Sequence, residues 1–137
     1  MKKNDSKIDG WIFLDKPIGV SSNKTLQTVR KIFNNCKAGY VGTLDPLASG
    51  FLPIAIGNAT KTISLVENLT KEYVFTIQWG VRTETGDLEG KVIEVKNKFP
   101  SKIEISEKLK NFVGKIYQIP PKYSSKKING QRAYKLA

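Results

Sequence analysis

Between Lys37 and Lys61 the chain carries a single charged residue, Asp45, although 35 of its 137 residues are charged. This quiet stretch opens as GYVGTLDPLASG (39–50) and continues as FLPIAIG (51–57), an apolar run of strand length. Such a run reads as a strand. Pro53 lacks a backbone donor, so an edge or a bulge is expected there in preference to a central position. No basic residue lies within seven positions of Asp45 on either side. A lysine-rich chain that isolates one carboxylate in this way calls for an explanation.

The flanking elements follow from pattern. GWIFLDKP (10–17) is a second strand, closed by Lys-Pro. PIGVSS supplies turn residues, with Ser21 or Ser22 capping a helix that places Leu26, Val29, Ile32 and Phe33 on one face. Lys24, Arg30 and Lys31 fall largely on the other face, and Asn34-Asn35 ends the helix. Ile63, Val66 and Leu69 suggest a short second helix. YVFTIQWG (73–80) and KVIEVK (91–96) alternate and predict a hairpin with a long, turn-rich connection. PSKIEISEKLKNFVG (100–114) predicts a capped helix with Leu109, Phe112 and Val113 inward. KIYQIP (115–120) reads as a further strand, and the polar segment after it as a loop. RAYKLA (132–137) reads as a helix just beginning. The fold class expected is α+β, with a mixed, largely antiparallel sheet flanked by helices.

Charge narrows the partners. Residues 16–66 hold six basic residues against Asp45 alone, and residues 108–137 hold eight basic residues and no acid. With a net charge of +11, a polyanion is the natural partner. A basic surface that only keeps the protein soluble fits the charge equally well. No run nears the roughly twenty apolar residues of a membrane span, and no apolar segment follows the first lysines as in a secretory signal. Cys36 is the single cysteine and there is no histidine, so neither an internal disulfide nor a soft-ligand metal site is expected. A cytoplasmic protein is expected.

On local pattern alone, Asp45 is a turn aspartate, because Asp-Pro commonly opens turns. There is no D-x-D pair for metal-assisted phosphoryl transfer and no D-[ST]-G of an aspartic protease. GNATKT (57–62) lacks the Gly-Lys pair of a phosphate loop. Four blocks in order change the weighting: GWIFLDKPIGVSSN, KAGYVGTLDPLASGFLPIAIGNATK, KEYVFTIQWGVRTETGDLEG and IPPKYSSKKINGQRAYKLA. Together they resemble the TruB family of tRNA pseudouridine synthases, over nearly the whole chain from Asp9 to Ala137.

The resemblance implies isomerisation of the T-loop uridine at tRNA position 55 to pseudouridine, with no cofactor and no metal. It implies that Asp45, in the family's G-x-L-D-P-L-A-[ST]-G motif, is the essential nucleophile or base. Gly42, Ala48, Ser49 and Gly50 would let the backbone and an RNA approach closely. The target base would be flipped out and stacked on Tyr73. Tyr40 stands where many members have histidine, in K-x-G-H, and would still stack or donate a hydrogen bond. Lys16 and Pro17 match the family's Lys-Pro, near the floor of the substrate site. Asp87 and Gly90 match a loop-fixing turn. Tyr123, Lys126, Lys127, Arg132 and Tyr134 fall in segments that face RNA, where basic and aromatic side chains suit phosphate contact and stacking.

Members of the family continue well beyond this length, with another tyrosine, an arginine that pairs with the catalytic aspartate, and further strands. Residues 9–137 are therefore expected to be the N-terminal portion of a catalytic domain, behind a flexible N-terminus at residues 1–8. The partner implied is the T arm of tRNA, with no membrane and no small-molecule cofactor, and the protein is expected to be a monomer. The rival readings are a non-catalytic basic RNA-binding module and a guide-dependent synthase working with partner proteins.

Overall fold

The computed structural model describes residues 8–119, and the backbone of residues 127–128 and 131–132. The chain divides into two compact units, Met1–Tyr73 and Val74–Ala137.

In the first unit, β1 (Gly10–Lys16) pairs antiparallel with β3 (Gly50–Ile56), from Gly10 opposite Ile56 to Lys16 opposite Gly50. β2 (Ala38–Tyr40) lies on the other side of β3, so the sheet order is β1-β3-β2. The apolar run is thus the central strand, which corrects the edge placement expected for Pro53. The reason lies in where the proline falls. Its carbonyl accepts the Val41 N–H at 3.0 Å, one residue past the end of β2. The donor that proline lacks would face the same side, where the β2 ladder has already stopped.

α1 (Ser22–Ile32) covers one face of this sheet. Ser21 is its cap, with the hydroxyl accepting from the Lys24 N–H. Leu26 and Val29 meet Leu52, Ile54 and Ile56 in the core, with Ile12, Leu14, Phe33, Ala38 and Tyr40 packed around them. Ile32, expected inward, is 70% exposed. The helix ends before Asn34 and Asn35, which both take positive φ. A 3-10 segment, Gly57–Thr62, leads into α2 (Ile63–Val66). Asp9 ties this segment to the start of β1, accepting from the backbone N–H and side-chain amide of Asn58. On the opposite face of the sheet, Phe13 and Phe51 stack at 5.5 Å between ring centroids and remain exposed.

The second unit contains the hairpin of β4 (Val81–Thr83) and β5 (Val92–Val95), which has an irregularity between Arg82 and Thr83. The expected strand over 73–80 does not form: residues 71–78 have no ladder, and Val74 and Phe75 are 94% and 76% exposed. Alternation needs a partner strand to become a ladder, and none is present among the described residues. α3 (Lys102–Leu109) carries the expected cap as a full capping box between Ser101 and Glu104. Leu109, Phe112 and Val113, expected inward, are all exposed, because no described element covers that face. Residues 115–119 form no ladder either. Short strands β6 (Lys127–Ile128) and β7 (Gln131–Arg132) pair antiparallel, where the sequence suggested a loop and then a helix start. The rest of RAYKLA lies outside the described residues, as do residues 1–7. Every described strand pair is antiparallel. No described helix is long and apolar enough to cross a membrane.

Candidate active site

Asp45 lies in the loop between β2 and β3, at the end of the sheet where β1 finishes with Lys16. Two glycines with positive φ, Gly42 at 72° and Gly50 at 130°, bracket the loop and let it leave and re-enter the sheet sharply. Asp45 opens a turn through Pro46, closed by the Ala48 N–H donating to the Asp45 carbonyl at 3.0 Å. Its side chain is exposed, and among the described residues no group hydrogen-bonds or ion-pairs with its carboxylate.

The loop is held from one side by residues 16–22. The Gly19 N–H donates to the Pro46 carbonyl at 2.7 Å. The Ser22 hydroxyl donates to the Leu44 carbonyl and accepts from the Leu44 N–H, both at 2.9 Å. Beneath this segment, Lys16 is completely buried. Its Nζ donates to the carbonyls of Pro17 at 2.9 Å and Val20 at 2.7 Å. An ammonium so enclosed braces the turn at 17–20 from within.

Tyr40 closes β2, opposite Ile54, with its ring half-buried against the core. Tyr73 is 64% exposed, with no ladder on either side of it. The chain leading to it passes the loop: a methyl at Gly42 would lie 3.9 Å from Lys71 Cε. Register places Lys16 opposite Gly50, where the Asp45 loop enters β3, and Tyr40 opposite Ile54, four residues further along β3. In the second unit, Lys127 and Arg132 stand opposite one another on β6 and β7. Lys126, Tyr123 and Tyr134 lie outside the described residues.

Asp87 fixes its turn. Its carboxylate accepts from the Thr85 hydroxyl at 2.5 Å and the Glu89 N–H at 2.9 Å. The Thr85 bond is the main cause holding the Asp87 carboxyl below its ordinary pKa; slight burial opposes it, and backbone donors from Glu89 and Gly90 add to the lowering. A depression of about 150 Å³, lined by residues that include Arg82, Glu94 and Lys96, involves none of the expected site residues.

The structure offers an open carboxylate on a braced loop, a half-buried tyrosine at the end of β2 and an exposed tyrosine at residue 73. A family model described as TruB family pseudouridylate synthase (N terminal domain) matches residues 30–137. The chain belongs to this family. The TruB assignment agrees with individual relatives. The tRNA pseudouridine synthase B of Ehrlichia chaffeensis is 49% identical over 128 residues, which is 93% of this chain and 43% of the relative. The protein of that name from Brucella anthropi is 47% identical over 136 residues, 99% of this chain and 42% of the relative. The chain therefore spans less than half the length of these TruB relatives. A solved structure of an H/ACA RNP bound to a substrate RNA containing 2'-deoxyuridine is 40% identical over 45% of this chain and 19% of that one, with a TM-score of 0.41.

Sequence reasoning named Asp45 and the two tyrosines but gave Ser22 no role beyond a possible cap. The adjacent pair Ser21-Ser22 held the only signal: one hydroxyl suffices for a cap, which leaves the other for a different contact.

Proposed function

We propose that this chain carries the aspartate-bearing part of a tRNA pseudouridine synthase that isomerises the T-loop uridine at tRNA position 55. One observation carries the reading: Asp45, in the block GTLDPLASG, presents an exposed carboxylate from a loop braced on both sides of it. A nucleophile or base must reach its substrate while its backbone stays still, and this loop meets both requirements.

In the reaction the bond between the ribose C1' and uracil N1 breaks and a bond from C1' to C5 forms. N1 gains a proton and C5 loses one to solvent, so the net change is an isomerisation. Asp45 acts as nucleophile or base at the sugar or the base. Tyr73 offers the exposed ring on which a flipped base stacks, in keeping with how extruded bases are held. Tyr40, in place of the family histidine, borders the target nucleotide. Lys126, Lys127 and Arg132 serve the RNA backbone by charge. The chemistry asks for neither a metal nor an organic cofactor. The reading is of a monomer acting on the T arm in the cytoplasm.

The test is tritium release from T-arm RNA labelled at C5 of that single uridine. It is run with the chain alone and with the chain joined to the remaining length of the Ehrlichia chaffeensis relative. Release that Asp45→Asn abolishes supports the reading. Equal release from Asp45→Asn sinks the role of Asp45. RNA binding with no release from either form favours a non-catalytic RNA-binding module.

A further inference from the structure

We infer that Ser22 is a positioning residue for Asp45, an inference that rests on the function proposed above. Ser22 is buried, 2% exposed, and its hydroxyl spends both its donor and an acceptor position on the backbone of Leu44, the residue before Asp45. One side chain thus satisfies both polar groups of that residue, as a neighbouring strand would. On the far side of Asp45, the Gly19 N–H holds the Pro46 carbonyl. The carboxylate therefore projects from a single residue between two clamped neighbours.

The hydroxyl of Ser22 has no duty within its own helix. Capping is done by Ser21, whose Oγ accepts from the Lys24 N–H. Ser22 is the first residue of α1, three to seven positions before Thr25, Leu26 and Val29, which are buried with it. Through Ser22 the loop is referenced to the packed helix and not to its own exposed backbone. Placement of a reacting group within about 1 Å changes rates on the order of a hundredfold, so a lost clamp is felt in turnover.

The experiment compares Ser22→Ala, Ser22→Thr and Asp45→Asn by amide hydrogen exchange on the chain, and by tritium release. Ser22→Ala should speed exchange of the Leu44 amide at least tenfold while the Leu14 and Leu52 amides keep their rates, which shows that the sheet is intact. Its kcat should fall by about ten- to a hundredfold with KM for the RNA unchanged. Ser22→Thr keeps the hydroxyl and should restore both. Wild-type exchange at Leu44 in Ser22→Ala, or wild-type kcat where Asp45→Asn is inactive, overturns the positioning role. Release that persists in Asp45→Asn overturns the functional reading itself, and is told apart by that control.

Discussion

The carboxylate of Asp45 and the ammonium of Lys16 sit at the same end of the sheet in opposite circumstances. The Asp45 side chain is exposed and its carboxylate makes no hydrogen bond or ion pair among the described residues, so replacing it should cost the fold little. Asp45→Asn is expected to shift stability by less than about 0.5 kcal/mol in urea unfolding while abolishing tritium release. Lys16 is enclosed, with two carbonyls depending on its Nζ. Lys16→Met keeps most of the volume but leaves those carbonyls without a partner in the interior. It should lower stability by about 3 kcal/mol, read from the urea midpoint. The difference was only half legible beforehand. The isolation of Asp45 among uncharged residues was visible in sequence, whereas nothing in Asp-Lys-Pro says that the lysine turns inward. Its burial depends on the turn at 17–20 folding back over it.

At the scale of elements, local pattern was reliable where another described element covers the apolar side of a segment or where a cap fixes its start. β1, α1, β3 and the capped start of α3 all formed where expected. Pattern failed where no described element supplies the partner, as at 73–80 and at Leu109, Phe112 and Val113. The placement of Pro53 failed for another reason: a rule about central strands does not know where the neighbouring strand stops. Two substitutions on β3 separate these effects. Ile54→Ala removes a fully buried side chain and should cost about 2–5 kcal/mol. Pro53→Val should change stability by less than about 1 kcal/mol, since the restored N–H faces past the end of β2. In the β4–β5 hairpin, the lowered pKa of Asp87 sets a pH dependence. The folded turn favours the ionised form, so its support is complete above the unfolded pKa, near 4, and is lost as pH falls through the lower folded value. Exchange of the Thr83 and Val92 amides should therefore show protection that weakens in acid, and Asp87→Asn should flatten that profile.

At the scale of the molecule, the two units are unlike. The first has a core of Leu26, Val29, Leu52, Ile54 and Ile56. The second has no buried residue among those described, and its apolar side chains at Val74, Phe75, Leu109 and Phe112 face solvent. Segments with few buried contacts open most readily. Limited proteolysis should therefore cut within residues 74–119 before it cuts within 10–56, and equal susceptibility would contradict that ordering. The amino-acid sequence by itself determined where β1, α1, β3 and α3 form, the excess of positive charge, the isolated Asp45 and, through its ordered blocks, the family. Those features rest on periodicity, capping and residue identity, which act over a few positions. Tertiary structure alone decided that Lys16 is buried, that Pro53 lies in a central strand and that Ser22 grips Leu44. The last two depend on segments distant along the chain arriving at one place, and the first on the turn at 17–20 closing over its own lysine; no short-range pattern encodes which hydrogen bonds they will then exchange.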